Sequence, residues 1–372
     1  MSSMASLRVA GVITAGSLNS PIGYRRWTVV MRILYNERPG RGHYNSQLSM
    51  QFVVAEGPIL EEILDATYPV WNEGLTRDAY ARWNAAQLRT TWGAEHLRRF
   101  ALLDDRGRWV ASAKRYLWPI RLDGADGLMC GIGAVFTRPE ARGHGYARTI
   151  IEHLIEQSRG EGAVIAGLFS EIGEQFYERL GFRTVPLNEV DVQVERKDGA
   201  PAMLVRSGEE RDLPALAAMH ATRSAGVRFA LRRDPPLIEY AVAKKRLLAG
   251  LGQGAGPRVL RQTEFFVAEE GASAVAYVVL TVSPAGWTLE EAGDRDPAGA
   301  RLGAILQVLL AREPSRPAPL IRAWWPPAMS VPPQVRLANQ IPARDVFMLR
   351  PIGDVRIPSR AEDVFYWRSD YF

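Results

Sequence analysis

The run Val135-Phe136-Thr137-Arg138-Pro139-Glu140-Ala141-Arg142-Gly143-His144-Gly145-Tyr146-Ala147 brings together the residue types that hold an anion. An apolar, β-prone stretch, Leu128 to Ala134, precedes it. After it, Ala147, Ile150, Ile151, Leu154 and Ile155 recur at helical spacing. The layout is strand, glycine-rich turn, helix. Gly143 and Gly145 let the backbone approach a ligand closely, and the first amides of the new helix lack intrahelical acceptors, so they converge on an anion such as a pyrophosphate. Arg142 adds a fixed positive charge whose donors reach phosphate oxygens. There is no Gly-x-Gly-x-x-Gly, and the turn lacks the Gly-Lys-Ser/Thr ending of a nucleoside triphosphate loop.

The arrangement Arg142-x-x-Gly145-x-Ala147 resembles the acetyl-coenzyme A pyrophosphate turn of the GNAT acetyltransferase superfamily. Phe176-Tyr177-Glu178-Arg179-Leu180-Gly181-Phe182 resembles that superfamily's Tyr-x-x-x-Gly-Phe helix end. The resemblance implies acetyl-CoA as co-substrate and no metal. Val135, Phe136 and Thr137 would lie along the pantetheine arm, with an amide near Val135 or Phe136 facing the carbonyl oxygen. Arg142, Gly143, His144, Gly145, Tyr146 and Ala147 would hold the pyrophosphate. Tyr177 is the implied general acid; Phe176 and Leu180, four apart, should face the core and turn Tyr177 about 100° toward the cleft.

Two groups compete for the general base. Glu171 follows the strand Ala163 to Phe169, at the end where neighbouring strands splay in the resembled fold, and it reads equally well as the cap of a helix from Gly173. The carboxylate of Phe372 is the other candidate. A tandem GNAT layout with a C-terminal aromatic resembles the enhanced-intracellular-survival aminoglycoside acetyltransferases, whose terminal carboxylate enters the active site. This chain lacks room for their third, sterol-carrier-like domain. His144 and His153 read as surface residues rather than bases. The runs 135–140 and 168–177 also look like the fungal lysine acetyltransferases that modify the free amino acid. The acceptor expected is therefore a small-molecule amine or amino acid, with an aminoglycoside or protein lysine as alternative. A non-catalytic acyl-CoA regulator is the reading from another class; the intact turn and Tyr177, and the lack of a helix-turn-helix, weigh against it.

These residues need a scaffold. The fold expected is α/β with mixed sheets, built as two tandem GNAT-like domains with the second degenerate. Residues 1–49 show no sustained period and read as a poorly ordered extension. The catalytic domain spans 50–196: a strand at 51–54, two helices between 56 and 92 (one after the cap-like Thr76), strands at 99–103, 109–120 and 128–137, the helix after Gly145, a strand at 163–169, a short helix at 173–180 and a strand at 182–190. Glu56, Glu61, Glu62 and Glu73 are either acceptor contacts or solvated carboxylates. A polar linker near 195–202 leads to the second domain, 202–350, with strands at 203–205, 264–267, 274–282, 287–291 and 320–324 and helices at 212–220, 238–248 and 298–310. Where the first domain has its glycine turn, the second reads Asp294-Arg295-Asp296-Pro297-Ala298-Gly299-Ala300. Asp296 and Pro297 suit an N-cap and first helical residue, and two carboxylates there would repel pyrophosphate. The tail, 351–372, carries too many aromatic side chains to be left in solvent and is expected to dock on the body.

The chain has 372 residues, 47% of them hydrophobic, and a net charge of +5. Lysine occurs only at 114, 197, 244 and 245, so nearly all the positive charge is arginine, scattered rather than clustered. That favours neither nucleic acid nor a membrane as partner. With no secretory signal pattern, a cytoplasmic location is expected, and a homo-oligomer is left open. Cys130, the only cysteine, excludes an internal disulfide and reads as a buried, inert thiol.

Overall fold

The computed structural model describes residues 50–195, 203–252, 262–313 and 318–372. The expectation about 1–49, and most of the expected linker, lie outside the described residues. Among the described residues no helix is long and apolar enough to cross a membrane.

The first half follows its expected order. Strand β1 (Gln51–Val54) leads to helices α1 (Gly57–Trp71), α2 (Arg77–Gln87) and α3 (Thr91–His96). The Thr76 hydroxyl accepts from the Ala79 amide at 3.3 Å and so fixes the start of α2, as its type and place suggested. Helix α3 was not anticipated; Thr90 caps it through the Gly93 amide at 3.0 Å. Strands β2 (Leu97–Leu103), β3 (Trp109–Leu122) and β4 (Ala125–Thr137) form an antiparallel meander. Helix α4 (Tyr146–Gly160) and strand β5 (Ala163–Ser170) complete a crossover, with β5 parallel to β4. Ile150, Ile151 and Leu154 of α4 are fully buried against one face of this sheet, beside Cys130.

The expected strand at 182–190 is instead two short ones, β6 (Arg183–Thr184) and β7 (Asn188–Val194), on either side of Pro186, which cannot donate to a ladder. Strand β7 leaves the first sheet altogether. It pairs antiparallel with β13 (Ile321–Ala323) and β14 (Val335–Pro342) in a second sheet. In return β15 (Val346–Pro351) crosses into the first sheet and lies antiparallel to β5, Phe347 opposite Phe169. The sheets therefore exchange strands, and the break in sequence near 196–202 is not the break between sheets.

The second sheet is built from β8 (Leu204–Ser207), β10 (Gln262–Glu270), β11 (Ser273–Ser283) and β12 (Gly286–Asp294), with β13 parallel to β12. Its order repeats that of the first sheet: an antiparallel meander, one parallel neighbour after a helix, then a strand given by the other half. Helices α6 (Leu213–Ser224) and α7 (Pro235–Leu251) pack on one face, and α8 (Ala300–Arg312) on the other. A short strand between α6 and α7, β9 (Phe229–Leu231), joins the far end of β3, and β16 (Val364–Phe365) of the tail pairs with it in parallel. Val364, Phe365, Tyr366 and Trp367 are essentially solvent-free, so the tail is part of the body.

Candidate active site

Three features of β4 create the site. Its pairing with β5 ends at Ile132 opposite Leu168, although both strands run on, so the two splay apart. Ala134 adopts φ +49°, a conformation rare for a residue with a Cβ, and the ladder to β3 slips between Ser112 and Lys114. That bulge twists Val135, Phe136 and Thr137 away from β5, leaving the backbone groups on that side without a sheet partner. The third feature is the turn into α4. Gly143 and Gly145 sit at φ +83° and +79°, and a side chain at either would meet nothing within 4 Å, so the face of the turn is open. Gly145 is the N-cap and has no side chain to satisfy the first amides of α4.

Residues expected at the cofactor turn are together here. Arg142 is exposed, and its Nε donates to the Thr137 carbonyl at 3.4 Å, tying the turn to the end of β4. The His144 ring nitrogen meets the Arg142 carbonyl at 3.0 Å and the ring stacks on Tyr146, which stiffens the turn. Val135 and Thr137 are half-buried along the bulge, while the Phe136 ring is turned into the core against Trp71 and Trp109. Ala147 begins the buried side of α4. His153, expected at the surface, is half-buried and stacks on Phe52, so its charge is disfavoured by burial.

Tyr177 is placed differently from the sequence expectation. Helix α5 (Gln175–Glu178) is a single turn, and it is Tyr177 that enters the core, between Phe176 and Phe182, while Phe176 is half-exposed. So short a helix takes its orientation from Gly181, at φ +84°, and from the chain that follows rather than from its own periodicity. Burial, with Glu171 nearby, pushes the Tyr177 hydroxyl up to about 12. It stays protonated at neutral pH, as a proton donor must. Cys130 is solvent-free and burial pushes its thiol up to about 11, which leaves it inert.

The two base candidates are neighbours. Glu171 is exposed just past β5 and accepts from the Tyr371 hydroxyl at 3.3 Å; it does not cap α5, whose N-cap is Glu174. Phe372 reaches deeper. Its ring packs against Tyr116, Trp118 and Phe169, with centroids 5.1 to 5.4 Å away. Its carboxyl carbon lies 3.6 Å from where a Cβ on Gly133 would stand, and its ring 3.0 Å from where one on Gly131 would stand. The terminal carboxylate thus lies on β4 at the splay, and two glycines make the room for it.

The tail is held there by buried charges. Arg233 pairs with Glu291 at 2.5 Å and with Asp370 at 3.4 Å, all three nearly solvent-free. Tyr277 donates to Glu291 at 2.8 Å, and Tyr366 donates to the Asp370 carbonyl at 2.7 Å. Burial raises Asp370 to about 6 against the pull of Arg233. Lys244 donates to the Tyr371 carbonyl at 2.5 Å. These residues come from the turn between β9 and α7, from α7 itself and from β11 and β12, so the second half fixes a group of the first half's cleft.

Sequence reasoning missed Arg99, Lys114 and Lys244, three cations that lie close together near the C-terminus: Arg99 is opposite Lys114 across β2 and β3, and Lys244 reaches the Tyr371 carbonyl. A signal was present. Arg99 alternates with Leu97 and Ala101 on the inward face of β2, so a charge interrupts an apolar stripe.

The second helix start explains itself. Helix α8 begins at Ala300, with Gly299 as its N-cap at φ +71°, the same backbone as Gly145. The expected start at Asp296 and Pro297 is corrected, and a different carboxylate fills the place. Asp294, buried at the end of β12, accepts from the Arg301 and Leu302 amides at 3.0 Å and from the Asp296 amide at 2.8 Å. A side-chain carboxylate occupies in this unit what the first unit leaves open.

Residues 61–185 match the family model of the acetyltransferase (GNAT) domain. The chain therefore carries a GNAT acetyltransferase domain, which supports an acyltransferase. The solved structures it is similar to cover 82% of it. A conserved protein of unknown function from Enterococcus faecalis, described as a probable N-acyltransferase, gives a TM-score of 0.59 at 12% identity over 73% of that chain. A GCN5-related N-acetyltransferase from Kribbella flavida gives 0.57 at 17% over 71% of that chain, and one from Anabaena variabilis gives 0.59 at 12% over 73%. At such identities the likeness shows a shared fold. No curated protein matches the chain by sequence.

Proposed function

We propose that this protein is an N-acetyltransferase that moves an acetyl group from acetyl-CoA directly to the primary amine of a small molecule or free amino acid. The observation that carries the reading is the juxtaposition on β4. The uncapped start of α4 opens beyond one end of the bulge, and the carboxylate of Phe372 lies at its other end beside Gly133. Arg142 and the first amides of α4 fit a pyrophosphate, and Val135 to Thr137 offer backbone groups to a pantetheine arm. Acetyl-CoA supplies an acyl group activated on sulfur.

The chain's own residues supply the rest. The Phe372 carboxylate takes the ammonium proton of the acceptor; its position on β4 favours it over Glu171, which is exposed and engaged by Tyr371. An amide near Val135 or Phe136 stabilises the carbonyl oxygen as it becomes negative. Tyr177 returns a proton to the departing thiolate. Asp294 already satisfies α8, so one acetyl-CoA binds per chain and the second unit shapes the site without binding it. Calorimetry should give a stoichiometry of one, and an amine panel should release free CoA. Two equivalent sites, or no CoA release with any amine, would refute the reading.

A further inference from the structure

The inner wall of the cleft carries charges that the proposed mechanism leaves unused. Arg99 is directly opposite Lys114 across β2 and β3, and Lys114 is directly opposite Gly133 across β3 and β4. Directly opposed residues of antiparallel strands share a face. Arg99, Lys114 and the Phe372 carboxyl against Gly133 therefore form one row on one side of the sheet. At about 4.8 Å between strands, its ends are ~10 Å apart at the backbone. Arg99 is 94% buried at 6% exposure, yet neither its Nη1 nor its Nη2 has a hydrogen-bond partner among the described residues. Burial disfavours its charge, against the Tyr80 and Tyr116 hydroxyls; Tyr80 is the nearest hydrogen-bonding group, at a geometry too poor to complete either Nη. A buried guanidinium with both Nη atoms unmet is costly, and a bound anion would complete it.

The surroundings point the same way. Lys114 stands over the Trp83 ring at 5.6 Å and Lys244 over Tyr240 at 5.7 Å. The Lys114 ammonium is disfavoured by burial and by Arg99 and Lys244, with Glu73 opposing. Lys114, Gly133 and Phe372 are half-buried, so the row opens to solvent in its middle. Glu73, at φ +52°, is exposed at this mouth, and Glu171 is exposed by Tyr371. The cleft is cationic inside and anionic at the rim and at Phe372.

We propose that Arg99, with Lys114 beside it, binds a carboxylate of the acceptor, so that the amine acetylated here belongs to an amino-acid-type molecule. This inference rests on the acetyl-transfer reading of the same cleft. The Arg99 fork matches a carboxylate through two parallel N–H···O bonds. The amine of the same molecule then lies toward Phe372, one or two strands along the row.

The test uses matched pairs on the full chain: 6-aminohexanoate against hexylamine, and L-lysine against cadaverine. In each pair the first member carries a carboxylate that the second lacks. The acid should exceed its partner in kcat/KM by roughly 10²-fold or more, because the amine without a carboxylate leaves a buried donor unmet. In Arg99→Gln that ratio should fall toward one through KM for the acid, with acetyl-CoA affinity and melting temperature retained. Arg99→Lys, which keeps the charge and loses the fork, should recover part of it. A wild-type ratio near one, or a ratio that survives in Arg99→Gln, overturns the inference while leaving acetyl transfer intact. If no amine turns over, calorimetry with 6-acetamidohexanoate against N-hexylacetamide decides. Binding of the acid alone, lost in Arg99→Gln, upholds the carboxylate site and sinks the transfer reading; binding of neither overturns both.

Discussion

Converting the C-terminal carboxylate of Phe372 to a carboxamide by protein ligation is the most direct perturbation of the proposed chemistry. Deleting the residue would mix two effects, since its ring fills the space between Tyr116, Trp118 and Phe169 and removing it would cost roughly 3 to 5 kcal/mol in packing. Amidation changes one oxygen to nitrogen, keeps every ring contact and removes the base. A general base contributes roughly 10² to 10⁴ in rate. That is about 2.7 to 5.5 kcal/mol at the transition state. The assay is single-turnover acetyl transfer in rapid quench, with the melting temperature and acetyl-CoA affinity as controls for fold and cofactor site. Glu171→Gln is the companion, and it should be nearly silent, because that side chain is exposed and its partner, the Tyr371 hydroxyl, donates as well to an amide oxygen. An amidated enzyme whose single-turnover rate is unchanged would remove Phe372 from the mechanism. A severe loss in Glu171→Gln beside it would transfer the role.

Gly145→Asp should abolish acetyl-CoA binding in calorimetry, since a carboxylate at that helix start would take the amides that Asp294 takes at α8; unchanged affinity would mean the pyrophosphate goes elsewhere. Tyr177→Phe keeps the ring between Phe176 and Phe182, so the melting temperature should hold while the chemical step slows by roughly 10² to 10⁴. Full single-turnover activity would exclude it as the acid. Burial and Lys245 lower Lys244 from 10.5 to about 7, so the folded state binds its proton more weakly than the unfolded chain does. Its destabilisation is then full below pH 7 and fades as the pH rises toward 10.5. Lys244→Met should accordingly raise the melting temperature more near about pH 6 than near about pH 10, offset by the lost bond to the Tyr371 carbonyl. A larger gain at the alkaline end would contradict the sign.

What could be read from the sequence was what is decided locally. Thr76 capping α2, the left-handed glycines before α4 and the strands of the β2 to β4 meander each depend on residues a few positions apart. The glycine turn before α4 belongs to this class, which is why its backbone was legible. The short helix at Tyr177 has too few residues for its period to fix a face, and its orientation was misread. Asp294 and Asp296 are both carboxylates two residues apart, and only tertiary packing decides that the first points into α8. Strand β15 pairs with residues nearly 180 positions away, a partnership no local pattern encodes. Arg99 was written into the sequence as a charge on an apolar stripe, but its lack of a partner is a property of the assembled cleft.

The exchange of β7 and β15 has a consequence for how this protein can be cut or recombined. A protease that nicks the chain between Glu195 and Met203 severs one covalent link, yet each fragment still holds a strand inside the other's sheet. The nicked halves should stay together in native gel filtration and part only in denaturant. A gene fragment ending at the same place encodes a first half with the β5 edge bare beside Phe169, and a bare edge recruits strands from neighbouring molecules. Shuffling with a relative at that point would give each hybrid a foreign strand in both sheets. Workable crossovers lie at the ends of β6 and β14, where the chain passes from one sheet to the other; the heritable module is the sheet, and the linear half is not.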